Sequence, residues 1–119
     1  MAEHNDTGKK GEDLAVDYLL QNGYEIVERN WYYQKAEIDI IARLQNTLIA
    51  VEVKTRSSAA YGLPQDFVNQ TKIKRLIAAF DAYITQRDLD VHARFDIIAV
   101  QFTPEGTAIE HIQEAFYPL

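Results

Sequence analysis

The chain has 119 residues, 47% of them hydrophobic and 25% charged, with no cysteine and a formal net charge of −6. This length and balance suit one domain spanning 1–119 around a single core, and the missing cysteine excludes disulfides and thiolate zinc sites. No apolar run approaches the ~18 residues of a membrane span and the first residues hold no signal-peptide core, so a cytoplasmic protein without membrane contact is expected.

Met1 to Asp6 is polar and reads as a disordered tail. Asp6 or Thr7 is placed to cap a helix reaching about Asn22, with Gly23 as its stop. Leu14, Ala15, Tyr18 and Leu19 form its apolar stripe, and Glu12 falls near the edge of that stripe. Gly8 and Gly11 are unfavourable in a first turn. Close approach of another backbone or of a phosphate accounts for them, as does fraying. Tyr24 to Trp31 reads as a strand, and Trp31-Tyr32-Tyr33 at its end reads first as cover for the core edge and second as a base-stacking surface.

Ala36 to Arg56 reads as two strands joined at Gln45-Asn46. Period-two alternation groups Ile38, Ile40 and Ala42 on one face with Ile49, Val51 and Val53, leaving Glu37, Asp39, Glu52 and Lys54 on the other. A turn at Gln45-Asn46 sets Asp39 opposite Glu52 and Glu37 opposite Lys54. Like charges so opposed destabilise a sheet and call for a counter-charge, which a hard divalent cation supplies. A solvated surface pairing of Asp39 and Glu52 with Lys54 and Arg56 is the alternative.

Ser57 to Gly62 is a small-residue loop containing Tyr61, and Pro64 suits the first turn of a second helix running to about Gln86. Phe67, Ile73, Leu76, Ile77, Phe80 and Ile84 recur along it at helical spacing. Arg94 to Phe102 and Thr107 to Ile112 are further strands separated by a Thr-Pro-Glu-Gly turn, with Phe116 folding back onto the core. Arg94 and Asp96 read as a structural pair. The order is helix, three strands, helix, two strands: an α/β fold with a mixed sheet of about five strands flanked by helices. The second helix permits a crossover that sets the fourth strand parallel to the third.

Charge is unevenly spread. Residues 54–75 hold five basic side chains, Lys54, Arg56, Lys72, Lys74 and Arg75, against Asp66 alone, while both flanking stretches are acidic. A basic island beside carboxylates suits a phosphate backbone, and a solvated helix face is the plainer alternative.

On these residues the chain resembles the bacterial YraN-like family, UPF0102, which is related to the PD-(D/E)XK nucleases and to archaeal-type Holliday junction resolvases. The marks are Gly8-x-x-Gly11-Glu12, Gly23-Tyr24, Glu37-Ile38-Asp39, Glu52-Val53-Lys54-x-Arg56, Lys72 and Arg94-Phe95-Asp96, with Ala36 standing where the family pattern has glycine. The resemblance implies a restriction-endonuclease-like core in which Asp39, Glu52 and the Val53 carbonyl hold Mg²⁺ or Mn²⁺. It further implies that Glu12 is an accessory ligand and that Lys54 positions the attacking water. The expected function is a metal-dependent endonuclease acting on DNA, including branched DNA. Its alternative is an inactive nucleic-acid-binding or partner-docking module of the same fold. A homodimer would join two basic islands across a two-fold axis.

Overall fold

The computed structural model describes residues 2–56 and 69–116, the side chains of residues 2–6 excepted. The first helix, α1 (Ala2–Gln21), begins earlier than its cap signals suggest and takes in the polar stretch read above as a tail. Polarity marks a solvated helical turn as readily as a frayed end. Its C-terminus follows the expected signal. Gly23 adopts φ +87°, its N–H donates to the Leu20 carbonyl at 3.1 Å, and the Tyr24 N–H donates to the Leu19 carbonyl at 2.9 Å. Leu19 and Tyr24 are both buried beside this cap, which closes the helix and aims the chain into the sheet.

Strands β1 (Glu25–Tyr33), β2 (Ala36–Leu44), β3 (Thr47–Arg56), β4 (His92–Thr103) and β5 (Gly106–Ile112) form one sheet in sequential order. All neighbours are antiparallel except β3 and β4, whose parallel pairing is joined through α2 (Gln70–Gln86) as expected. Within the described residues α2 starts at Gln70, where the Asn69 side chain accepts the Lys72 N–H at 2.8 Å. Pro64, Phe67 and the Tyr61 loop lie outside the described residues.

Both faces of the sheet are covered. Leu76, Phe80 and Tyr83 of α2 pack on Ile38, Ile41, Leu48, Ala50, Phe95 and Ile97, and Phe116 stacks on Phe95 with ring centroids 5.0 Å apart. Ala15 and Leu19 of α1 pack on Ile40, Ala42, Ile49, Val51, Ile98 and Val100. This two-sided burial explains the near-continuous apolar runs in β2 and β3. It also corrects the expected faces. Ile38 lies on the α2 side while Ile40 and Ala42 lie on the α1 side, so the alternation of β2 slips by one residue at Asp39.

Beneath α1 lies a buried polar group. Asp96 is fully buried and receives Arg94 Nε at 3.0 Å, Arg94 Nη2 at 2.9 Å, His111 Nε2 at 2.7 Å and the Glu114 N–H at 3.1 Å. Arg94 also donates to the Tyr24 hydroxyl at 2.9 Å, and His111 Nδ1 meets the Tyr18 hydroxyl at 3.1 Å. Burial alone would raise the Asp96 pKa; the bonds from His111, Arg94 and the Glu114 N–H hold it below its ordinary value instead. The Arg94–Asp96 pair is thus structural as expected, and it ties α1, β4 and β5 together.

Candidate active site

The β2–β3 ladder is regular from Leu44↔Thr47 to Ile40↔Val51 and there its paired register ends. Beyond it the Val53 N–H donates to the Asp39 carboxylate at 2.8 Å rather than to a backbone carbonyl. The slip at Asp39 thus turns an acidic side chain into a substitute rung, and the charged ends of the two strands part beyond it. The expected direct opposition of Asp39 and Glu52 is corrected in this detail, although the two carboxylates remain close enough to perturb one another.

Glu52 is buried and faces α2, where the Lys72 ammonium contacts its carboxylate. Lys72, read from the sequence as phosphate-binding or solvated, thus stands in the first turn of α2 in an ion pair with Glu52. On the α1 side, Asn30 bridges two further acids, with its side-chain amide 3.1 Å from Glu12 and 2.9 Å from Glu37. Arg29 stands 3.8 Å from Glu12 and 2.9 Å from Asp13. Glu37, expected opposite Lys54, accepts a hydrogen bond from Asn30, a residue at φ +52° that sequence patterning passed over. Such a backbone state favours Asn among non-glycine residues, and that was its only signal.

Gly11 explains how Glu12 reaches this group. A Cβ at Gly11 would overlap Thr55 Oγ1 and lie 3.0 Å from Thr55 Cβ and Cγ2. The close approach at this glycine is made by a side chain of β3, Thr55, rather than by the backbone or phosphate expected. Gly8 has open space around it.

Electrostatically the group is unbalanced. Burial, and then the charge of Glu52, push the Asp39 pKa up to about 8, with Glu12 and Glu37 adding to the rise against the Val53 N–H. Asp39 is therefore easier to protonate than an ordinary carboxyl, and a nearby positive charge would favour its ionised form. Among the described residues, no three acidic or histidine side chains stand close enough to ligate one ion together. Asp39 and Glu52 nonetheless supply hard oxygen donors whose mutual repulsion a cation would relieve, so the donor chemistry fits Mg²⁺ or Mn²⁺.

Lys54 follows Glu52 on the same side of β3 and is half-buried, as is Arg56 at the strand end. Beside the Glu52–Lys72 pair runs a cleft of about 300 Å³ lined by Lys35, Glu37, Asn69, Lys72 and Arg75 among others. A second, of about 320 Å³, is lined by Lys35, Lys74 and Arg75 with Tyr33 and Gln34. The structure thus brings Lys72, Lys74 and Arg75 of the basic island together and adds Lys35, which sits in the β1–β2 turn. Counting charge along the chain had assigned Lys35 to an acidic stretch.

The model of the uncharacterised protein family UPF0102 matches residues 11–100. The chain belongs to that family. The matched stretch contains Glu12, Asp39, Glu52, Lys54 and Lys72. The UPF0102 chain is similar to a UPF0102 protein of Christiangramia forsetii, at 58% identity over 98% of each chain. A UPF0102 protein of Phocaeicola vulgatus is 49% identical over 99% of this chain and 98% of its own. The UPF0102 protein of Parabacteroides distasonis is 44% identical over 98% of this chain and 97% of its own. The α/β architecture, a five-stranded mixed sheet between two helices, is consistent with a restriction-endonuclease-like core. No helix among the described residues is long and apolar enough to cross a membrane.

Proposed function

We propose that this UPF0102 chain is a divalent-metal-dependent endonuclease that hydrolyses phosphodiester bonds in DNA. The observation that carries the reading is the half-buried Asp39 carboxylate beside the buried Glu52 at the end of the paired β2–β3 ladder, where burial and the Glu52 charge raise its pKa to about 8. A carboxylate so placed favours exchange of its proton for a cation at neutral pH. Asp39, Glu52 and the Val53 carbonyl would hold Mg²⁺ or Mn²⁺, with Glu12 joining from the α1 side through water. When bound, the ion supplies Lewis acidity toward a phosphoryl oxygen and lowers the pKa of ligated water.

The chain's own residues do the rest. Lys54 orients the attacking water and stabilises charge on the phosphate. Lys72 neutralises Glu52 in the free protein and swings to the phosphate when an ion takes its place. Lys35, Lys74, Arg75 and Arg56 hold the flanking backbone, with the salt dependence of a phosphate grip.

The test is cleavage of labelled duplex, single-stranded and branched DNA, and of RNA, with Mg²⁺ or Mn²⁺. Cleavage is expected in the wild type and lost in Asp39→Ala, Glu52→Ala and Lys54→Ala variants that remain folded. Wild-type protein inactive on every substrate with either metal overturns the proposal. One observation favours a second reading, a nucleic-acid-binding module that does not cut: Lys72 already balances Glu52 without an ion. That reading predicts DNA binding indifferent to Mg²⁺ and to Glu52→Gln.

A further inference from the structure

The two clefts beside the site differ in the charge of their walls. The one next to Lys72 includes Glu37, and Lys72 itself is already bound to Glu52. The neighbouring cleft of about 320 Å³ is lined by three cations, Lys35, Lys74 and Arg75, with no acid among its described lining residues. Among the described residues, none of these three has a carboxylate within ion-pair distance. Other cations of this acidic chain are engaged. Arg29, Lys72 and Arg94 each pair with an acid, and the Arg87 guanidinium lies 3.8 Å from the centre of the Tyr83 ring.

The cleft owes its volume to small residues. Lys35 comes from the β1–β2 turn, Lys74 and Arg75 come from α2, and Ala36 and Ala78 leave the space between these elements open. Lys35 stands in a two-residue turn between the paired Tyr33 and Ala36, with Gln34 at φ +54°, so its backbone is held in place. Tyr33 lines the same cleft and is backed by Trp31, the rings 8° from parallel with centroids 6.0 Å apart. Both rings pack on the α2 side of the core, as the first reading of the aromatic triplet expects.

We infer that this cleft takes the terminal phosphate of a nucleic-acid strand, so that the protein engages its substrate at a phosphorylated strand end. The inference rests on the nuclease reading above and adds where on the strand the cut falls, a short distance inside that end. A phosphate monoester carries about −1.5 to −2 charges at neutral pH, whereas each internal diester carries one. Three cations without a counter-ion suit the monoester, and a single diester leaves them in excess. The volume lies at the lower end of the ~300–1,000 Å³ of small-ligand sites, room for a phosphate and its sugar. The two clefts share Lys35, Ala36 and Arg75. A strand whose scissile phosphate lies at Asp39 and Glu52 therefore passes Lys72 through the first cleft and ends in the second.

The test is fluorescence anisotropy with Ca²⁺ replacing Mg²⁺, on one internally labelled oligothymidylate carrying a 5′-phosphate, a 3′-phosphate or hydroxyls at both ends. The wild type is expected to bind one of the two phosphorylated forms roughly tenfold more tightly than the hydroxyl form, the scale of a hydrogen-bonded charge. Which form gains reports the direction of the strand. Lys74→Gln removes one cation, and Ala78→Leu fills the cleft from an exposed helix position without changing charge. Each is expected to bring the ratio to within about twofold of unity while circular dichroism shows an intact fold. Equal affinity for all three forms in the wild type overturns the inference and leaves the nuclease reading standing. An equal gain from both phosphates, or a ratio that Ala78→Leu leaves unchanged, overturns it too, since bare attraction to charge produces either. Thymidine monophosphate bound as tightly as the phosphorylated strand assigns the cleft to a free nucleotide and overturns the strand-end role. A wild type that binds no form overturns the nucleic-acid reading and this inference with it.

Discussion

Lys72 of α2 and Glu52 of β3 form an ion pair in which the glutamate side chain is 9% exposed and the lysine side chain 43% exposed. The pair locks the start of α2 onto the site, and it competes directly with any cation for the same oxygens. Replacing Lys72 by Met is expected to destabilise the metal-free protein by about 1–3 kcal/mol, because a buried carboxylate loses its partner, with solvent at the lysine end limiting the loss. Added Mn²⁺ should restore more stability to Lys72→Met than to the wild type. Thermal melts with and without metal measure both effects.

Asp39 sets the pH response. Its folded-state pKa is raised to about 8 from 3.8, so folding favours the protonated form. The stability it contributes is complete below the unfolded value and is lost as pH rises through the folded value. Between these limits the metal-free wild type should lose stability from this group, and Asp39→Asn should flatten that slope. Melting temperatures followed from about pH 5 to about pH 9 test the sign.

Gly11 and Thr55 hold α1 against β3 where Glu12 projects. Gly11→Ala would drive a methyl group into Thr55, and overpacking of this kind costs about 1–3 kcal/mol. Combining it with Thr55→Ala should recover part of the loss by removing Oγ1 and Cγ2. Denaturant midpoints of the single and double variants decide whether the two effects are coupled.

Lys35 and Arg75 line one cleft from opposite elements, the β1–β2 turn and α2. If both grip phosphate, Lys35→Ala and Arg75→Ala should each weaken DNA binding without regard to sequence, and each should reduce the slope of log affinity against log salt by about 1. Titrations at several salt concentrations measure this. A slope unchanged in both variants would remove the cleft from the interface.

The α/β order, the turn at Gln45-Asn46, the parallel crossover and the Gly23 stop were legible because each rests on local chemistry or a single period. The Asp39 slip was not, since an irregularity in a strand covered on both faces leaves apolar residues at every position, and Ile38 and Ile40 look alike to a period-two reading. Glu12, Asp39 and Glu52 stood out as acids near apolar stripes, yet their partners came from elsewhere in the chain. Lys72, Asn30 and Lys35 reach the site through a helix start, a left-handed residue and a turn, and no spacing in the sequence joins these to a carboxylate. His111 belongs to no motif in the sequence, yet it bonds the buried Asp96, a contact that the β4–β5 pairing creates.

The most direct test of the site is calorimetric titration of the wild type and Glu52→Gln with Mn²⁺ near neutral pH, repeated in buffers of different ionisation enthalpy. The account predicts saturable binding by the wild type with release of a proton, chiefly from Asp39, and abolished binding in a folded Glu52→Gln protein. Binding that is absent in the wild type, or equal in the two proteins, would contradict it.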